Sequence, residues 1–478
     1  MNPYPLDVPL KAGIGRLTHG LSPAALAAAI GDWASHLAAS PGKQLALLGE
    51  AQRAWMAYGA QLLALARGDA APLVQGDKRF AHADWRQPPF AALAGAFLAT
   101  QRWWHAATTG VPGMSPQHEQ VVEFVARQVL DMLSPSNGIL TNPEVLQRTI
   151  ATGGRNLVDG TMDLWHEAQI VAAGLPPPGA ERFKPGVGVA LTPGRVIYSN
   201  HLIELIQYEP ATRAVLPEPL LIVPSWIMKF YILDLSPANS LVRYLVAQGH
   251  TVFMISWRNP GSEDRDLGME DYLELGVLQA LEAVKRAQPG RGVHLAGYCL
   301  GGTLAAMAAA LLAREGDTTL KTLSLLAAQT DFEEPGELGL FINDSQVAFL
   351  EDVMDEPGYL DGRQMAGAFA LINSRDLVWS RLVREYLLGR RTELDDLHAW
   401  NADATRLPAR MHSEYLRGMY LRNDLAEGAY VVRGQPLDLQ DIHVPAFLLG
   451  TEWDHVSPWR SVYKTLRLLS SPVTFALT

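Results

Sequence analysis

The sequence has almost no cysteine: Cys299 is the single one in 478 residues. One thiol cannot form an intramolecular disulfide framework, and such scarcity is typical of proteins in a reducing compartment. The sequence also has no apolar stretch long enough to span a bilayer, and its first residues lack the basic start and apolar run of a signal peptide. We therefore expect a cytoplasmic protein without a transmembrane segment.

Basic residues are fewer than acidic ones. The chain has 39 Lys and Arg against 50 Asp and Glu, which gives a formal net charge of -11. No stretch concentrates Lys and Arg as a nucleic-acid-binding face requires, so nucleic acid is not an expected partner. The composition, 48% apolar and 19% charged, is that of a globular protein long enough for two or three domains.

The lone cysteine lies in the segment Gly-Tyr-Cys-Leu-Gly-Gly, residues 297–302. A short apolar run precedes it and an Ala- and Leu-rich run follows, which predicts a strand, a sharp turn and a helix. Glycines two residues before and two after a nucleophile allow the strained turn that lifts its side chain above a sheet edge, a nucleophile elbow. The alternative is that Cys299 is a small core residue, beside glycines that only permit close packing of strand and helix.

The pattern of apolar residues changes in the Gly- and Pro-rich stretch 174–188. Before it, apolar residues recur at helical spacing and predict a helical N-terminal domain, residues 1–180. After it, apolar runs alternate with helical segments, which predicts a mostly parallel sheet in an α/β domain, residues 181–478, entered through two antiparallel strands. The predicted strands are 195–198, 202–206, 220–223, 252–257, 293–296, 323–327, 445–449 and 473–477.

One connection in this domain is far longer than a loop, and it predicts an insertion over about residues 331–440. In an α/β-hydrolase-like sheet such an insertion commonly forms a lid over the active site. Its aromatic residues would give an apolar roof, although ordinary packing is the alternative for each of them. They are Trp379, Tyr386, Trp400, Tyr415 and Tyr420.

Partners for the cysteine follow from the chain order of α/β-hydrolases, which is nucleophile, acid, histidine. The acid should follow the strand 445–449, where Asp454 is well placed and Glu452 is a weaker alternative. An oxyanion hole would use the backbone N–H of Leu300 and a second one from the loop after strand 220–223, for which we choose Ile227.

The histidine should follow the strand 473–477, where Thr478 is the last residue. His455 adjoins the acid on the wrong side of that strand, His294 lies within a predicted strand, and His250 is a turn residue. We therefore expect the catalytic histidine beyond Thr478, and we expect the chain of 478 residues, truncated in this way, to have little activity of its own.

A set of motifs extends from about Asp77 to the end of the chain. They are Asp-Lys-Arg-Phe (77–80) with Trp85, Ser-Pro-Ser-Asn (134–137), Thr-Asn-Pro-Glu (141–144), Tyr-Ile-Leu-Asp-Leu (231–235), Gly-His-Thr-Val-Phe (249–253), Ser-Trp-Arg-Asn-Pro (256–260), the cysteine segment (297–302), Asp-Leu-Val-Trp (376–379), Trp-Asn (400–401), and Asp-His (454–455) with Pro-Trp (458–459). Together they resemble the polyhydroxyalkanoate synthases, the polymerases of bacterial storage polyesters, with local departures at Ser374 and Arg375.

The resemblance implies an acyltransferase that polymerises (R)-3-hydroxyacyl-CoA monomers with release of CoA, through a thioester on Cys299 and with Asp454 as the catalytic aspartate. It implies no metal and no bound cofactor, because the CoA thioester is the substrate. The implied partners are this substrate, the growing polyester, a second copy in a homodimer, and the surface of a storage granule in the cytoplasm.

Two other functions stay open at this point. A cysteine-dependent acyl-CoA thioesterase on the same fold would release CoA without making polymer. A non-catalytic granule-binding or regulatory subunit would need no catalytic histidine at all.

Overall fold

The computed structural model describes residues 7–18, 20–67, 76–372 and 374–478. The helices in chain order are α1 (Asp7–Leu17), α2 (Pro23–Ala38), α3 (Pro41–Ala66), α4 (Phe90–Thr108), α5 (Pro116–Met132), α6 (Pro143–Ala151), α7 (Arg155–Ala172), α8 (Leu241–Ala247), α9 (Met269–Asp271), α10 (Gln279–Ala287), α11 (Leu300–Arg314), α12 (Asp344–Asp355), α13 (Gly362–Ile372), α14 (Asp396–Ala402), α15 (Ala409–Tyr415) and α16 (Trp459–Leu468). The strands are β1 (Gly194–Ser199), β2 (Ile203–Tyr208), β3 (Leu220–Val223), β4 (Val252–Trp257), β5 (Val293–Tyr298), β6 (Leu320–Leu326), β7 (Tyr359–Leu360), β8 (Leu407–Pro408), β9 (Val431–Val432), β10 (Gln435–Pro436), β11 (Ala446–Gly450) and β12 (Val473–Leu477).

The described residues pack as two compact units. One contains the described residues of 1–22, 178–368 and 394–478, and the other those of 23–177 and 369–393. The second unit is helical, built on α2 to α7. Among the described residues, no helix is both long and apolar enough to cross a membrane.

The main sheet lies in the first unit, and its described strands run in the order β1-β2-β4-β3-β5-β6-β11-β12. β1 and β2 pair antiparallel, and β2 pairs antiparallel with β4, as predicted for entry strands. The pairs from β4 to β12 are parallel. This arrangement confirms the predicted α/β-hydrolase-like sheet.

Neighbouring strands β3 and β5 mark the point where the chain changes direction across the sheet. Val223 at the end of β3 lies opposite Gly297 of β5. After β3 the chain moves to one side to form β4, then returns to the other side to form β5. Open α/β sheets bind ligands at the carboxyl ends of strands that flank such a switch point, so the loops after β3 and β5 are positioned for function.

Helix α11 follows β5 and lies in the centre of the core. Every residue from Leu300 to Leu311 is buried, and the many alanines among them let the helix approach the sheet closely. The apolar run predicted a helix from Leu304, but the helix begins at Leu300. Gly301, Gly302 and Thr303 already belong to its first turn.

Strand β6 is longer than predicted. Its first residues alternate between a buried Leu320, an exposed Lys321 and a half-buried Thr322. These residues do not form a continuous apolar run, because an alternating segment is buried on one face only. The apolar pattern therefore predicted a shorter strand.

The predicted insertion separates β6 from β11. The main sheet gains no strand from the described residues between them, which form α12 to α15, three π-helical segments and two short antiparallel strand pairs.

The two units group some residues differently from the predicted domains 1–180 and 181–478. Helix α1 packs with α12, where the Lys11 ammonium lies 2.5 Å from the Asp352 carboxylate. Residues 369–393, inside the predicted insertion, pack with the helical unit, where Arg381 and Tyr386 both bond the Glu167 carboxylate at 2.6 and 2.7 Å. These long-range polar contacts leave no local pattern in the sequence.

Candidate active site

Cys299 is the single residue between β5 and α11, and its backbone is strained. Its φ and ψ are 52° and -127°, a region that residues with a side chain rarely adopt. The Cys299 N–H donates to the Leu326 carbonyl of β6 at 2.9 Å, and the Cys299 carbonyl accepts from the Gly302 N–H at 2.8 Å. The strand and the helix therefore hold the turn from both sides.

The glycines around Cys299 are required by close backbone contacts. A Cβ atom on Gly297 would lie 2.3 Å from the Gly302 Cα, and one on Gly301 would lie 2.1 Å from the Val223 carbonyl oxygen. Real Cβ atoms do not approach other heavy atoms so closely, so neither position accepts a larger residue without a backbone shift. The motif thus has a steric reason, which is the sharp crossing from β5 into α11.

The Cys299 thiol is partly buried and packs against the main core. Burial is the largest influence on the pKa of this thiol and raises it to about 11. The Leu300 N–H and the Ser457 hydroxyl lower the pKa, and the negative charge of Asp454 raises it. The thiol is therefore protonated at neutral pH. A reaction that uses it as a nucleophile must first remove the proton.

Asp454 lies in the loop after β11, half-buried, while Glu452 in the same loop is exposed. Its carboxylate accepts hydrogen bonds from the backbone N–H groups of Val456 at 2.9 Å and Ser457 at 2.8 Å. Its negative charge contributes to the raised pKa of both Cys299 and the adjacent Tyr298. The predicted nucleophile and the predicted acid thus lie in one site.

Two of the three histidines considered in the sequence, His455 and His294, have other contacts. The exposed His455 ring bonds the carbonyl of Trp453 at 3.1 Å. The His294 ring bonds the Thr322 hydroxyl at 2.8 Å, and burial lowers its pKa. No histidine of the described residues is among the groups that shift the pKa of Cys299, so the location of the base stays a prediction.

The two predicted oxyanion-hole donors differ in their surroundings. The Leu300 N–H lies directly after the nucleophile in the chain and lowers the pKa of Cys299. The Ile227 N–H lies in the loop after β3 and donates to the Ser225 hydroxyl at 3.4 Å, a long hydrogen bond. An oxyanion would have to take that bond over, and Ile227 stays a predicted donor.

The predicted roof aromatics separate into different places. The hydroxyl groups of Tyr415 and Tyr420 lie 3.3 Å apart. Burial raises the pKa of both residues, to about 12 for Tyr420, and the charge of Cys299 adds to this effect. The Trp400 indole N–H instead donates to the Lys229 carbonyl at 2.8 Å. Trp379 and Tyr386 belong to the helical unit.

Sequence reasoning missed one residue of the site, Ser457. Its hydroxyl is among the groups that lower the pKa of Cys299, although 158 positions separate the two residues in the printed sequence. The only local signal was its position three residues after Asp454, within reach of a turn closed by that carboxylate.

A family model agrees with this architecture. The model of the alpha/beta hydrolase fold matches residues 218–475, more than half of the chain. A solved structure of a putative lipase from Sulfolobus solfataricus aligns over 60% of this chain and 85% of its own, with 17% identity and a TM-score of 0.39. The fold and the elbow define an α/β-hydrolase-fold protein with a cysteine at the nucleophile position.

Two further family models narrow this class. The N-terminus of poly-beta-hydroxybutyrate polymerase (PhaC) matches residues 76–245, and a second N-terminal model of the same polymerase matches residues 2–43. The chain is 42% identical to a poly(3-hydroxyalkanoate) polymerase of Methylorubrum extorquens, over 85% of this chain and 68% of the relative. It is 34% identical to the polymerase subunit PhaC of Cupriavidus necator, over 90% of this chain and 74% of the relative.

The chain therefore belongs to the poly(3-hydroxyalkanoate) polymerase family. The resemblance inferred from its motifs is confirmed. It is an acyltransferase of polyhydroxyalkanoate synthesis.

Substitution of Gly301 by alanine tests the steric reason for the elbow. We expect Gly301→Ala to destabilise the protein by about 3 kcal/mol or more, because the new Cβ has no room beside the Val223 carbonyl. The matched control is Gly31→Ala in α2, where a Cβ meets nothing within 4 Å and should stabilise the helix by about 0.5–1 kcal/mol. Thermal unfolding measures both, and an unchanged midpoint in Gly301→Ala would show that the turn can relax.

Proposed function

We propose that this chain polymerises (R)-3-hydroxyacyl-CoA monomers through a covalent thioester on Cys299, with Asp454 as the catalytic acid. The observation that carries the proposal is the strained elbow, which presents the only thiol of the chain beside the Leu300 N–H and the Asp454 carboxylate. Membership of the polymerase family supports the choice of substrate.

The first half-reaction exchanges one thioester for another. The Cys299 sulfur attacks the carbonyl carbon of the acyl-CoA, a new S–C bond forms, and the bond to the CoA sulfur breaks. CoA leaves as a thiolate and takes up the proton that the base removed from Cys299. Because the product is again a thioester, the acyl group stays activated, whereas a serine nucleophile would convert it to a less reactive ester.

The second half-reaction extends the polymer. The hydroxyl of a 3-hydroxyacyl group attacks the thioester on Cys299, so that an ester bond forms and the thiol is regenerated. Asp454 is proposed either to help remove the proton of that hydroxyl or to orient the base. The N–H groups of Leu300 and Ile227 are proposed to bind the oxyanion in both steps. No metal or bound cofactor takes part in the proposed reaction.

The base for the thiol is proposed to be a histidine that follows β12 in the chain order of the fold. With its pKa raised by burial, the thiol needs a proton acceptor at neutral pH.

The cellular setting is also proposed from the family. The product polyester is insoluble in water, so an enzyme that extends it works at a surface, which fits a homodimer bound to a storage granule in the cytoplasm. Support comes from α7, where Val158, Met162 and Trp165 share one face of the helix at a spacing of four and three residues. Each of these side chains is more than half exposed, which is unusual for large apolar residues.

Substitution of Cys299 tests the covalent step. With 3-hydroxybutyryl-CoA, intact-mass spectrometry should detect one acyl group on the parent chain and none on Cys299→Ala, with CoA release reduced by about a thousandfold or more. Cys299→Ser is the matched variant and should accumulate a slowly formed ester. Acylation of Cys299→Ala would contradict the proposal, and release of CoA with free hydroxy acid but no polymer would assign a thioesterase.

The pH dependence tests the state of the thiol. At pH 7 a group with a pKa of about 11 is ionised to only about one part in 10⁴. Since the thiolate is the reactive form and is populated above the pKa, alkylation of Cys299 by iodoacetamide should rise about tenfold per pH unit from pH 7 to 9. A flat profile would show that a nearby base already removes the proton at neutral pH.

Particle binding tests the surface proposal without turnover. Cys299→Ala should sediment with poly(3-hydroxybutyrate) particles and, alone, should behave in analytical ultracentrifugation as a dimer of its 52.2 kDa chain. Replacement of Val158, Met162 and Trp165 by glutamine should weaken particle binding about tenfold through lost apolar contact. The control is Tyr244→Gln on α8, also exposed. Equal binding of all variants would remove α7 from the proposal.

A further inference from the structure

The loop after β3, residues 224–228, contains the Ile227 N–H that is proposed to bind the oxyanion. This loop lies against the first turn of α11, since a Cβ on Gly301 would lie 2.5 Å from the Pro224 carbonyl oxygen. Leu300 directly precedes Gly301 in that turn. The two proposed oxyanion donors therefore come from two segments that are in backbone contact.

The carbonyl groups of this loop are held by side chains from two different elements. The Trp257 indole N–H of β4 donates to the Pro224 carbonyl at 2.9 Å. The Thr405 hydroxyl, from the insertion between β6 and β11, donates to the Trp226 carbonyl at 2.8 Å and also lies within hydrogen-bond distance of the Ile227 carbonyl. Thr405 is 1% exposed, so a fully buried hydroxyl lies between two successive carbonyl groups of the loop.

Backbone pairing joins the same two segments, which belong to one compact unit. The Thr405 N–H donates to the Ile227 carbonyl at 3.2 Å, and Met228 pairs with Ala404 in an antiparallel bridge. These backbone bonds do not depend on the side chain of Thr405. The bond to the Trp226 carbonyl, in contrast, requires the hydroxyl.

The peptide between Trp226 and Ile227 links this hydroxyl to the proposed oxyanion hole. In a trans peptide the C=O and the N–H point in opposite directions, so the donor that holds the Trp226 carbonyl also sets the direction of the Ile227 N–H. The bond from that N–H to the Ser225 hydroxyl is long, at 3.4 Å. An oxyanion accepts a stronger hydrogen bond than a neutral hydroxyl does, so it can replace Ser225 as the acceptor.

We infer that Thr405 is a positioning residue for the reaction, whose hydroxyl fixes the peptide between Trp226 and Ile227 with its N–H directed at the oxyanion. The inference rests on the proposed role of the Ile227 N–H in the oxyanion hole. Negative charge develops on the thioester oxygen during attack, and a donor that is already oriented stabilises it without reorganisation. If Thr405 only anchored the insertion to the loop, its loss would lower stability without changing the chemistry of the thiol.

Two reagents that react with the same thiol separate these roles. With p-nitrophenyl acetate, the Cys299 sulfur bonds the acetyl carbon, a tetrahedral oxyanion forms, and p-nitrophenolate leaves. With iodoacetamide, the sulfur displaces iodide directly and no oxyanion forms. Both rates can be followed by mass at about pH 9, where thiols ionise appreciably, with Cys299→Ala as the blank for acetylation of other groups.

The matched variants are Thr405→Ser, which keeps the hydroxyl, and Thr405→Val, which has the same shape without one. We expect the ratio of the acetylation rate to the alkylation rate to be about tenfold or more lower in Thr405→Val than in Thr405→Ser and the parent protein. Alkylation alone should be unchanged. If the valine variant does not fold, Thr405→Ala, which also lacks the hydroxyl, gives the same comparison with Thr405→Ser.

Tyr231→Phe is the control for a loosened insertion, since it removes the hydroxyl that donates to the Asp403 carboxylate at 2.8 Å; it should lower the melting temperature and leave the ratio unchanged. An equal ratio in Thr405→Val and Thr405→Ser would overturn the inference. A ratio in the parent protein no higher than that of free cysteine would do the same, because no oxyanion hole would then act on the ester. The ester needs no CoA site, so failure of 3-hydroxybutyryl-CoA to acylate Cys299 would reject the proposed function without deciding the role of Thr405.

Discussion

The positive φ of Cys299 is the constraint on which the rest of the site depends. A residue with a side chain adopts this backbone only when its surroundings enforce it. Here β6 binds its N–H, the first turn of α11 binds its carbonyl, and Gly301 lets the helix touch the end of β3. The sheet order supplies all three neighbours, because β5 lies between β3 and β6. The strain is therefore balanced by the packing of the whole parallel sheet.

The electrostatics of the site suit a neutral thiol at rest. Burial and the charge of Asp454 both raise the pKa of Cys299, and two hydrogen-bond donors lower it only in part. An ion pair between thiolate and a cation is not found among the described groups that act on the sulfur. In the proposed reaction the thiol then behaves like the hydroxyl of a serine hydrolase, which stays protonated until a base removes its proton.

Much of this could be predicted from the sequence. The strands β3 and β4 are largely buried, so they show as continuous apolar runs with the predicted limits, and the partly exposed β12 also has the predicted limits. Gly297 and Gly301 marked the elbow because only their lack of a side chain permits it. The alternating start of β6 and the hydroxyl of Ser457 escaped, the first because half-buried strands carry a weaker pattern and the second because a contact across 158 positions has no local signature. The grouping of residues 369–393 with the helical unit rests likewise on distant ion pairs.

Sulfur chemistry gives the opposing influences on Cys299 a use in both half-reactions. A thiolate with a high pKa is the more intrinsically nucleophilic one, but it also leaves more slowly from a thioester. Burial and the charge of Asp454 raise the pKa of the thiol and so favour nucleophilic attack. The Leu300 N–H and the Ser457 hydroxyl lower that pKa and so favour departure of the thiolate. The proposed polymerisation needs both, because in it the same sulfur captures each acyl group from CoA and then releases it to a hydroxyl.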